Sequence, residues 1–167
     1  GSTSSGDILA FSADSNGKSG SISMKSGSST DSASGNIEFI SGDSVLSTGS
    51  VSLGAGSSST GVGASVVVKA GNSDQQAGGA VIIQSGKSTS SISGSVELIS
   101  AAGMTGSGQV LVQSGSSPTG SSGNIKLTTG DGSISSGDFN INIGTNNVGN
   151  AGSVVMSAGS SASASGG

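Results

Sequence analysis

The stretch GAVIIQSG (79–86) sets apolar side chains at every second place between two glycines, and the same string returns along the chain. Upstream stand GSISMKSG (20–27), GNIEFISG (35–42) and GSVSLGAG (49–56). Downstream stand GQVLVQSG (108–115), GNIKLTTG (123–130) and GSVVMSAG (152–159). Looser copies are GDILAFSA (6–13), ASVVVKAG (64–71), GSVELISA (94–101) and GDFNINIG (137–144). Eleven copies begin at 6, 20, 35, 49, 64, 79, 94, 108, 123, 137 and 152, always 14 or 15 residues apart. Self-similarity at a fixed period governs the reading of everything else.

Alternation of period two predicts an extended strand in each copy. The third residues form one column (Ile8, Ile22, Ile37, Val51, Val66, Val81, Val96, Val110, Ile125, Phe139, Val154). The fifth form a second (Ala10, Met24, Phe39, Leu53, Val68, Ile83, Leu98, Val112, Leu127, Ile141, Met156). The seventh are mostly small, as in Ser12, Ser26, Ser41, Ala70 and Ser85. On a strand these three columns share one face, and β-branched residues suit it. The fourth residues point the other way; among them Leu9, Val67, Ile82, Leu111 and Val155 are large and apolar, with Phe11, Ile40 and Ile99 beside them at the sixth place. They are the expected face for lateral packing against another rod or another domain.

After the strand the chain turns. The eighth residue is Gly in nine copies and Ala in two (Ala13, Ala101), a choice that admits the positive φ of a tight corner. Two residues on stands Ser in eight copies (Ser15, Ser29, Ser44, Ser58, Ser73, Ser88, Ser117, Ser161), with Gly103, Gly132 and Asn146 in the other three. The expected role of these serines is a hydroxyl ladder or a solvated corner.

One apolar strand per short period predicts an all-β fold: a β-solenoid (β-helix) of about 11 rungs, 14–15 residues per rung, with a thin core. It forms one domain over 1–167, read as a segment of a longer array without caps: GSTSS at the start and GSSASASGG at the end carry no Pro or charge cluster to block edge pairing. Two buried aliphatic side chains stabilise a rung by ~3–6 kcal/mol. Ordering its residues costs at least ~14 kcal/mol of backbone entropy. The expectation therefore depends on hydrogen bonds between rungs, at a net ~0.5–1.5 kcal/mol each.

Composition narrows the function classes. Charged residues make up 8% and aromatic residues 2%, and the net charge is −4, with five Lys and no Arg. Phosphate contacts and stacking platforms are missing, so nucleic acid is not an expected partner. No apolar run is long enough to span a membrane. His, Cys, Trp, Tyr and Arg are all absent, which removes the usual general base, thiolate and guanidinium clamp. No enzyme, cofactor or metal is expected. Glu38 and Glu97 share an outward position four repeats apart, too far to act as a pair. Calcium-binding nonapeptides are not present, and no Asp column exists.

The Gly-x-Val-x-Leu-x-Ser-Gly units resemble Gly/Ser-rich β-solenoid arrays of large secreted or cell-surface filament and appendage proteins. The likeness covers the whole chain and transfers no functional residue. It implies a non-catalytic structural protein that forms or extends an extracellular filament, appendage or adhesive stalk. Its partners would be further copies of itself, head-to-tail and laterally, and Ser and Thr would be open to O-linked glycans. Ice-binding solenoids are a second resemblance, implying an ice- or surface-binding protein with a flat Ser/Thr face. The chain departs from them because it contains no Thr-x-Thr string, and Thr30, Thr60, Thr89, Thr105 and Thr119 sit in the turns.

Overall fold

The computed structural model describes residues 4–163, 165 and 166, and among them there is neither helix nor β-strand. The expected all-β solenoid is therefore overturned: the repeats are coil, joined by bends. No described residue is buried. The accessible surface is 16644 Å² for a chain of 15.4 kDa. A folded monomer of that mass would expose about 7,200 Å² and its unfolded chain about 22,300 Å². The third and fifth columns, expected to point inward, lie open: Val81 is 53% and Ile83 78% exposed.

The cause lies in the balance already visible in one repeat. Its aliphatic side chains fall short of the ordering cost, so only hydrogen bonds between successive repeats could make up the difference. Backbone bonds among the described residues are instead of a single kind, and none runs from strand to strand. Gly79 N–H donates to Gly71 C=O (2.9 Å), Gly94 to Gly86 (3.0 Å) and Ala64 to Gly56 (3.4 Å). Each joins the eighth residue of one repeat to the first of the next, closing the arc between them. Interior glycine adds to the deficit by raising the entropy that a ladder must overcome.

The chain divides into two units, Gly1–Ile83 and Gln84–Gly167, and the same local pattern runs through each. Arc length and bend size go together. Where successive repeats are 15 residues apart, the bend takes three residues: 30–32, 59–61, 74–76, 89–91, 118–120 and 147–149. Where they are 14 apart it takes two: 16–17, 45–46, 104–105 and 133–134. Every one of these bends starts directly after the tenth residue of its repeat.

Closing an arc also gives the chain its least exposed places. Half-buried residues among those described are Ser12, Ser26, Ser41, Ala70, Ser85, Ser100 and Ser114, all of the seventh column, together with Ser88. The first-position glycine of the next repeat faces each of the seven. A Cβ placed on Gly20 would lie 3.3 Å from Ser12 Cβ, and one on Gly79 3.4 Å from Ala70 Cβ. Ala64 is the one first-position residue with a methyl group, and its closure is the longest of the three.

Candidate functional site

Two features recur with the repeat: the turn cap at the tenth place and the open apolar columns. In the longer arcs the tenth-position serine accepts from the N–H three residues on. Ser58 Oγ accepts from Gly61 (2.8 Å), Ser88 from Ser91 (2.9 Å), Ser73 from Gln76 (3.0 Å), Ser117 from Gly120 (3.0 Å) and Ser29 from Ser32 (3.1 Å). In two of the shorter arcs the acceptor reaches only two residues on, from Ser15 to Gly17 (3.1 Å) and from Ser44 to Leu46 (3.2 Å). These are side chain-to-backbone turns, the local bonds Ser and Asn make in preference to extended ladders. The serine column is thus a set of turn caps and not a hydroxyl ladder.

Asn146 caps the last longer arc differently. Its Oδ1 accepts from Val148 N–H (3.1 Å), and its Nδ2 donates to Asn150 C=O (3.1 Å). This arc contains the one positive φ among the described residues, at Gly149 (φ 101°). Gly103 and Gly132, the remaining tenth residues, have no side chain to cap with. The carbonyl oxygens of Gly106 and Ser135 fold into the space a Cβ would need. Glycine at the eighth place does not use its conformational freedom: no positive φ occurs there and a Cβ would meet open space, for example at Gly42, Gly71 and Gly86. Nothing in the structure explains its choice there.

The apolar columns bring few side chains together. Phe39 and Leu53, fifth residues of successive repeats, line an open apolar hollow of about 290 Å³ with Val51 and Ser52. The expected packing face is exposed throughout: Leu9 78%, Val67 82%, Ile82 83%, Leu111 65% and Val155 82%. Apolar side chains in the arcs are more open still, as at Val45 and Met104. Glu38 and Glu97 lie in different units. Among the described residues no group of three or more His, Cys, Asp or Glu is placed to hold a metal ion. Among the described residues no helix is long and apolar enough to cross a membrane.

The turn caps were readable in principle. Serine recurs two residues after the corner glycine, and the spacing alternates between 14 and 15; together these mark side chain-closed turns of two lengths. Comparison with known proteins found no matching family model, no similar curated protein and no similar solved structure.

Proposed function

We propose that the chain is a non-catalytic structural protein that forms or extends an extracellular filament, appendage or adhesive stalk by associating with further copies of itself. The observation that supports this is the exposure of its evenly spaced apolar segments. About twenty aliphatic side chains in the third and fifth columns, mostly half to four-fifths exposed, offer roughly 600–1,800 Å² per chain when scaled from the ~60–120 Å² that full burial of one removes. A stable interface takes about 800 Å² from each partner. The columns are therefore comparable to one interface, and copies matched with a shift of one or more repeats leave columns free for the next copy, which gives an open assembly instead of a closed pair.

A second copy is the partner that fits the spacing. Side chains presented every 14 or 15 residues meet equivalent side chains only on a surface with the same period. The low charge density, 8% of residues, leaves little repulsion against bringing copies together. The chain has neither His nor Cys, and among the described residues no group of three or more Asp or Glu is placed to hold a metal ion, so no arrangement there favours a catalytic reading. Sedimentation velocity over a concentration series, followed by negative-stain microscopy, tests the proposal. The expected result is concentration-dependent growth into fibres; a chain that remains a monomer at high concentration would refute it.

A further inference from the structure

We infer that the arcs are pre-formed spacers: where the tenth residue is Ser or Asn its side chain caps the turn in the isolated chain, where it is Gly the backbone closes in, and the arcs so formed fix the register in which copies associate. The second half of this inference rests on the self-association proposed above; the first half does not. Three independent features meet at the arc. Its length decides the size of the bend, two residues for a 14-residue spacing and three for 15. The reach of the serine cap follows the same division, to the second N–H in the shorter arcs of Ser15 and Ser44 and to the third in the longer serine arcs, where Ser88 also accepts a longer bond (3.4 Å) from the second. Where serine is replaced by Gly103 or Gly132, in the other two shorter arcs, a backbone carbonyl occupies the vacated space.

The cap and the arc closure act together. The Ser73 cap lies within the loop that Gly79 N–H closes on Gly71 C=O, and the Ser88 cap within the loop that Gly94 closes on Gly86. Each therefore holds the end of one apolar segment against the beginning of the next. A partner would meet segments already set at fixed intervals, and the ordering entropy of the arcs would be removed from association.

The test uses two triple variants of the full chain with identical composition. One is Ser29→Ala, Ser58→Ala and Ser117→Ala, at the capping places; the other is Ser28→Ala, Ser57→Ala and Ser116→Ala, one residue earlier in the same arcs. Amide exchange at Ser32, Gly61 and Gly120 is read first, under conditions where the chain is monomeric. The capping variant is expected to exchange about two- to twelvefold faster at these amides, the factor for loss of one net hydrogen bond, and the shifted variant to match wild type. Equal exchange in both would overturn the cap. The association rate is read second, and the capping variant is expected to lag the shifted one several-fold. Equal rates with unequal amide exchange would overturn the spacer role. A wild-type chain that never associates would overturn that role and the proposed function together, while the amide comparison would still decide the caps.

Discussion

Ser88 and Gly103 occupy equivalent places in successive arcs, and their turns are closed in opposite ways. Ser88 supplies an oxygen to the N–H groups of Ser90 (3.4 Å) and Ser91 (2.9 Å). Gly103 supplies empty space, which the Gly106 carbonyl enters. Glycine is therefore required at 103 and 132 for steric reasons, although neither has a positive φ. Gly103→Ala and Gly132→Ala are expected to displace the bends at 104–105 and 133–134, read as amide chemical-shift changes reaching at least three residues beyond the substitution. Gly86→Ala meets nothing within 4 Å and should perturb its immediate neighbours alone. By narrowing the disordered ensemble it could favour the native arc by about 0.4–1 kcal/mol. Comparable, local perturbation by all three substitutions would contradict this account. Reading every corner glycine as a source of positive φ was the error at this scale: the sequence shows where glycine stands, but not whether it is needed for its φ, for its missing Cβ or for neither.

At the scale of the element, the arcs were more legible than the segments they join. A turn closed by its own serine depends on residues two or three apart, so spacing and residue type carry most of the information. A strand depends on a neighbour some 15 residues away and on a sum of opposing terms that nearly cancel. Alternation in GAVIIQSG predicted a strand, but alternation alone could not show that the pairing a strand needs would form, and residues 79–86 are coil. The serine caps bond within the arcs alone and so add nothing to the ladder that the segments would need. The arc rule makes a prediction by length. Deleting Asp74 shortens the 71–79 arc by one residue, and the bend after Ser73 should contract from three residues to two. The Ser73 cap should then pass from the third following N–H to the second, as at Ser15 and Ser44. Amide exchange and nuclear Overhauser contacts across the arc would report the change; a three-residue bend retained after the deletion would break the rule.

Over the whole molecule, eleven weak units are repeated and none contributes a buried core of its own. If association covers the columns, a single charge in one of them should be costly, since it would be carried out of water without a partner. Val110→Asp is expected to raise the concentration needed for fibre growth about tenfold or more, equivalent to at least ~1.4 kcal/mol; an unchanged threshold would show that the third column is not the covered surface. The five lysines allow a finer mapping, because all are exposed in the isolated chain. Lys18 and Lys87 lie in arcs, whereas Lys25, Lys69 and Lys126 lie within the apolar segments 20–27, 64–71 and 123–130. Trypsin should cut all five sites in the dispersed chain. Covering the columns would shield the three segment lysines through their immediate neighbours, while the arcs remain outside. In assembled material, cleavage after Lys18 and Lys87 should therefore persist and cleavage after Lys25, Lys69 and Lys126 should slow by an order of magnitude or more, measured by mass spectrometry of the released peptides. Protection at the arc lysines with free cutting in the segments would place the contact on the arcs instead, and uniform cutting of assembled material would mean that neither surface is the one that copies share.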